Sequence, residues 1–521
     1  MTTALLLGGI TLAGLALRLT QYGQGLLGDE LSTYWILDGN SLGDVLTSVH
    51  SDDEITPPLY FILGWTSLEV FGDPEAIRLP SLIAGTATIP LMYLVGQRTV
   101  GHAAGLVAAA IFALNPFMIY YAAEARSYAV MIAVLAVSTL ALLLALETRR
   151  RRWWAVYAGA SCGAMLSHYT AAFPLAAQAG WVVWAHRAAL RPLLLANLAA
   201  ALAFMPWITG FVADQNSPTT EILSRLQPFE FGAVRYAMEA WAVGFPYLRL
   251  EAVPGVLAGL LILAGLLIGG ASWAWRRWQR DDPPRPAATP RPRPVAGGLA
   301  LVVLLFAAAP LGEAVYSALG TNLLGARNLN SATPGLVLLM GAIAASGAVL
   351  VAAISTTLVL AGFAVASLRT LDDDRARPAY EAAADDIASR GKPGDIVIDA
   401  SALTPVPLTG LDVYLPASFR QFRLGLPRSE DPFEFGDRVP PIGPMIDAAF
   451  RAADGNKVFL VAYVRTESLS SGARRVAEQG REGPTLGERV LGRLPPGYEV
   501  TRSEVHPGLI RISLAEIERR P

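Results

Sequence analysis

Apolar runs of about 20 residues recur from the start of the chain to Arg369, separated by short polar turns, and then the pattern changes. A helical run of that length crosses a roughly 30 Å hydrocarbon core. Candidate spans fall at 4–20, 80–97, 104–122, 126–147, 153–169, 171–186, 193–211, 252–274, 297–318, 333–349 and 351–368, about eleven in all. The stretch 57–71 is apolar but short, and it contains Glu69. It reads as an interfacial helix, which makes 22–78 one long loop.

After Arg369 the chain reads as a compact α/β domain. Asp372, Asp373 and Asp374 mark the exit from the membrane. A helix is expected over 378–390, stopped by Gly391. Strands are expected at 395–399 and 457–462, helices near 470–480 and 484–493, and two further strands near 497–514. The expected division is a transmembrane domain, 1–370, and a soluble α/β domain, 371–521.

Composition agrees. Hydrophobic residues make up 53% of the chain and charged residues 16%, and mean hydropathy is +0.41. Soluble domains carry about 25% charge. The net charge of −2 identifies no partner, and no nucleic acid is expected to bind. The lone cysteine, Cys162, lies in an apolar run, so no intrachain disulfide can form. The first run lacks a basic n-region and reads as a retained span. Ala-, Gly-, Arg- and Pro-rich usage suggests a bacterial source, hence a bacterial plasma membrane.

Charge placement sets the expected orientation. Basic loops at 98–102, 149–152, 186–191 and 276–293 follow spans two, four, six and eight. Basic loops face the cytoplasm, so the N-terminus is expected there and the C-terminal domain outside. The Pro- and Arg-rich stretch at 281–294 reads as a linker, or as a contact for anionic headgroups.

The polar residues with chemical potential then map to the outer face. Asp29 and Glu30 follow the first span; they either solvate the loop or supply a base for an incoming hydroxyl. Asp52, Asp53 and Glu54 could bind a divalent ion, Mg or Mn, or merely solvate a turn; no other cofactor is expected. Glu124 and Arg126 sit between two spans, where they anchor helix ends or, for Arg126, bind a phosphate. His168 and Arg327 occupy other outer turns, where each is either a hydrogen-bonded structural residue or functional, Arg327 as a phosphate contact. Arg18, Arg78 and Glu313 lie near outer span ends, and ionisable residues in spans tend to mark function. No ionisable side chain is expected at a bilayer midplane, where a transporter keeps its coupling residues.

The order of motifs resembles a known family. Asp29-Glu30 is followed by Pro57-Pro58-Leu59, Phe71-Gly72, Arg78-Leu79-Pro80-Ser81, Asn115-Pro116 and Glu124-Ala125-Arg126-Ser127-Tyr128. This resembles the GT-C glycosyltransferases, in the branch of protein O-mannosyltransferases and lipid A aminoarabinose transferases. The similarity is specific over 1–175; later, Arg327-Asn328 and Pro334 are similar to an Arg-Tyr…Pro signature.

The resemblance implies a GT-C-like membrane fold and inverting transfer of a sugar from a polyprenyl-phosphate donor. The acceptor would be extracytoplasmic: a cell-wall glycan, a glycolipid or a protein. Asp29 would be the base, with Glu30 supporting it. Arg126, His168 and Arg327 would hold the donor phosphate. Relatives that modify lipid A carry a lysine before Pro57; this chain has Thr56, and His50 could substitute. Tyr60, Arg78, Glu124, Tyr128, Tyr169 and Asn328 would contact substrate. The alternative is a non-catalytic flippase or scaffold for lipid-linked sugars.

Overall fold

The computed structural model describes residues 2–51, 54–217, 229–278, 294–320, 322–402, 408–426, 441–464, 469–470 and 484–520. The metal candidates Asp52 and Asp53, the linker at 281–293 and the helix expected near 470–480 lie outside the described residues. The chain divides into two compact units. A helical unit comprises Met1–Tyr22, Val49–Gly64 and Arg78–Arg369; a sheet unit comprises Gly23–Ser48, Trp65–Ile77 and Thr370–Pro521. Two pieces of the first long loop thus belong to the same unit as the C-terminal sheet.

Among the described residues, seven helices are long and apolar enough to cross a membrane: Thr2–Tyr22, Pro74–Thr99, Tyr128–Thr148, Arg187–Gln215, Val256–Arg276, Gly298–Leu319 and Val349–Arg369. The expected count was eleven. The other four expected spans form shorter helices: His102–Leu114, Arg151–Ser167, Ala172–Ala185 and Thr333–Ala344. One interruption has a clear cause. Asn115 Oδ1 accepts from the backbone N–H of Phe117 and Met118 at 2.9 and 3.3 Å, capping a new helix, Pro116–Tyr121. Proline has no N–H to continue the earlier hydrogen-bond ladder.

Small residues and buried polar groups join the helices of this unit. A Cβ on Gly96 would come within 2.5 Å of Gly105 Cα, so Pro74–Thr99 and His102–Leu114 touch backbone to backbone. Gln178 accepts from Ser138 Oγ at 3.1 Å and donates to Thr139 Oγ1 at 3.0 Å, bridging two helices inside the core. Arg18 is fully buried and donates to the carbonyls of Phe112 and Ala113, at the end of His102–Leu114. Its positive charge meets the negative end of that helix.

The sheet unit has five strands in the order β2-β1-β3-β5-β4: β1 (Ile396–Ala400), β2 (Arg420–Arg423), β3 (Val458–Val464), β4 (Tyr498–His506) and β5 (Arg511–Arg519). The first three are mutually parallel; β5 pairs antiparallel with both β3 and β4. All five residues of β1 are buried, as expected of a parallel strand covered on both faces. Ile398, Leu460 and Phe450 pack on one face, and Val397, Phe459 and Tyr380 on the other. The expected helix appears as Tyr380–Arg390. Strand β2 and the helix Ile442–Ala453 were not anticipated.

Candidate functional site

In the helical unit the candidate residues converge on the turn before Tyr128. Arg126 forks onto Glu54: NH1 donates to Oε2 at 2.9 Å and NH2 to Oε1 at 3.1 Å. NH2 also donates to Thr56 Oγ1 at 2.7 Å, and the backbone N–H of Thr56 donates to Glu54 Oε1 at 2.9 Å. This planar, two-pronged geometry is the strong form of an ion pair. The two side chains are 10% and 3% exposed. Glu54 therefore spends both oxygens on a guanidinium, and a cation there would have to displace it. Among the described residues no group of three His, Cys, Asp or Glu side chains is placed to hold a metal ion.

His168 lies within the electrostatic reach of both Arg126 and Arg327. Its ring tilts against Tyr128, with centroids 5.4 Å apart. The backbone N–H of Thr170 donates to His168 Nδ1 at 3.3 Å, which leaves Nε2 as the protonated nitrogen of the neutral ring. Tyr121 packs on Tyr128 at 4.9 Å and feels the charges of Glu124 and Arg327. Ser81 Oγ donates to the Arg126 carbonyl at 3.1 Å and stands 3.3 Å from the Tyr60 hydroxyl. Arginine, histidine and tyrosine thus form one connected polar surface.

A second chain of contacts runs beside it. Tyr169 donates its hydroxyl to Asp214, and Trp207 Nε1 donates to Tyr169 at 3.1 Å. His50 Nε2 pairs with Thr209 Oγ1 at 2.9 Å, and its ring meets Trp207 edge-on at 5.5 Å. Asp214 is within electrostatic reach of Glu54. Asp214, Trp207 and Tyr121 were missed from the sequence. Asp214 sits just beyond the outer end of the expected span 193–211, where the rule that flagged Arg18 and Glu313 could have found it.

Two further candidates make contacts that organise the backbone. Arg78 donates to the Tyr22 carbonyl at 2.8 Å, at the end of Thr2–Tyr22. Asn328 donates to the Leu323 carbonyl at 2.6 Å, closing the turn that presents Arg327. Glu313 is fully buried on Gly298–Leu319.

Asp29 and Glu30 belong to the sheet unit and open the helix Asp29–Leu37. Gly28 precedes them with φ 61°, a left-handed conformation that glycine adopts without a Cβ clash. Asp29 is half-buried, whereas Glu30 is fully buried and faces Arg377, Nε to Oε2 at 3.2 Å. The adjacent carboxylates thus have different surroundings, because neighbours on a helix point about 100° apart.

Residues 56–209 match the family model described as dolichyl-phosphate-mannose-protein mannosyltransferase. ArnT from Cupriavidus metallidurans in the apo state is 14% identical, superposes with a TM-score of 0.50, and is aligned over 99% of this chain and 98% of its own. The two chains share a fold. Two other solved structures superpose less well. The apo oligosaccharyltransferase of Archaeoglobus fulgidus is 10% identical, with a TM-score of 0.48 over 88% of this chain and 69% of its own. The arabinofuranosyltransferase AftD from Mycobacteria is 15% identical, with a TM-score of 0.41 over 99% of this chain and 40% of its own. No curated protein matches the chain.

Proposed function

We propose that this GT-C protein is an inverting glycosyltransferase. It moves a sugar from a polyprenyl-phosphate donor to an acceptor outside the cytoplasm: a cell-wall glycan, a glycolipid or a protein. Asp29 takes the proton from the acceptor hydroxyl. The oxygen attacks the anomeric carbon from the face opposite the phosphate, and the carbon–oxygen bond to phosphate breaks. The electron pair leaves with the polyprenyl phosphate, and the configuration inverts.

The observation that carries this reading is the grouping of Arg126, His168 and Arg327 within one electrostatic neighbourhood. A departing lipid phosphate gains negative charge in the transition state, and fixed donors aimed at that charge lower the barrier. Arg126 has the forked geometry for phosphate, and Tyr60, Tyr128 and Tyr169 are the aromatic candidates for contact with a sugar. The family model matched by 56–209 describes transfer from such a lipid. The basic loops at 98–102, 149–152 and 186–191 support a cytoplasmic N-terminus in a bacterial plasma membrane.

Reconstituted protein, given labelled polyprenyl-phosphate sugars and candidate acceptors, should form a glycosidic bond of inverted configuration. Asp29→Asn should lose at least about 10²-fold in turnover while remaining folded. Normal turnover by that variant would remove Asp29 from the mechanism.

A further inference from the structure

The turn that carries Asp29 is tied repeatedly to the C-terminal part of the same unit. Arg377 contributes twice: its side chain faces Glu30, and its backbone N–H donates to Gln24 Oε1 at 2.8 Å. Tyr414 contributes twice as well. Its hydroxyl accepts from the backbone N–H of Leu26 at 3.1 Å and donates to Glu75 Oε1 at 2.6 Å. The fit is close at Gly25, where a Cβ would come within 2.9 Å of the Pro378 carbonyl. Glu30 Oε2 also accepts from the N–H of Leu27 at 3.2 Å, folding the turn back on the first residues of the helix.

The Glu30–Arg377 pair is costly for what it stabilises. Its side chains are 0% and 1% exposed, so both charges have left water. Apolar residues of similar volume often fill such a place at no loss of stability, whereas removing one partner strands the other. What a sealed ion pair adds is direction: it fixes the first helical turn, and with it the Cα–Cβ vector of the neighbouring Asp29.

We infer that Arg377 and Tyr414 position Asp29, acting through Glu30 and the 24–28 turn, so that the C-terminal domain is a working part of the carboxylate's mounting. Glu30 and Arg377 are positioning residues in this scheme. The inference rests on Asp29 being the base. A misplacement of about 1 Å in a reacting group costs about 10²-fold in rate.

The test uses full-length protein in liposomes with a labelled polyprenyl-phosphate sugar. Glu30→Gln and Arg377→Met should each lower kcat by about tenfold or more, with the donor KM changed less than about twofold. The double variant should be little worse than either single one, because the two act as one device. Arg377→Lys, which keeps a charge, should recover part of the loss, and the acid limb of the kcat profile should move in the Met variant. Tyr414→Phe removes only the hydroxyl and should cost about threefold, which keeps the inference testable if Arg377→Met does not fold. Wild-type kcat and an unchanged pH profile in Glu30→Gln and Tyr414→Phe would overturn the positioning role, even with Asp29→Asn inactive. Normal turnover by Asp29→Asn would instead overturn the base assignment.

Discussion

Arg126 meets Glu54 through two guanidinium nitrogens, with a third contact to Thr56, in a pair whose arginine is still 10% exposed. Arg377 meets Glu30 through Nε, in a pair that is 1% and 0% exposed. The residue types are the same and the buried charges comparable, yet the two pairs suit different work. A forked pair can turn one arm to another anion, because the second arm stays on Glu54 as the first leaves. A sealed pair has no such exchange open to it, and it can only hold. The first arrangement fits a residue that captures phosphate, the second a residue that fixes its neighbour.

The largest effect should come from the exchangeable pair. Arg126→Ala is expected to lower kcat/KM by about 10²–10³-fold, measured with a reconstituted donor. An unchanged value would leave Arg126 as the anchor of Glu54 and nothing more. Next comes Glu54→Gln, which strands a buried guanidinium. It should cost about 3 kcal/mol in unfolding experiments in detergent. The donor KM should not rise, because the arginine is released to bind phosphate; a tenfold rise would contradict the exchange picture.

An uncharged tie gives the baseline. Asn115→Ala removes the acceptor that caps Pro116–Tyr121 and should cost about 1 kcal/mol by the same melts. The smallest effect is expected from the more hydrated charges of the sheet. Burial opposes ionisation of Glu516, but Lys457 at 2.7 Å and Arg390 at 3.0 Å outweigh it and hold the carboxyl below its usual range. A lowered pKa contributes stability above the ordinary value, about 4.3, and that contribution is lost as the pH falls through the folded value. Acid titration of unfolding should show this loss, worth under about 1 kcal/mol, and Glu516→Gln should abolish it.

The sequence resolved these features unequally. Apolar runs set the long helices, and short continuous apolar runs rich in β-branched residues marked β1 and β3, because both patterns are local. The break at Asn115-Pro116 was visible as a motif, but its effect was not: a cap depends on the backbone angle at one residue, and the hydropathy run passes through it. Arg126, His168 and Arg327 could be named because each interrupts an apolar stretch. Glu54 was read as a metal candidate because three acids in a row suggest one, and only the fold shows its oxygens turned to Arg126. Arg377 gave no signal at all. It sits in an ordinary charged stretch, and its link to Gln24 spans 353 positions.

The sheet unit is assembled from stretches near both ends of the chain. During synthesis, the turn carrying Asp29 emerges early and must wait for Arg377 and Tyr414, whose contacts with it span 353 and 388 positions. A product cut short inside the helical region would carry Glu30 without its countercharge. Such a fragment would lack both the ion pair and the Tyr414 hydroxyl that tie down the turn beside Asp29.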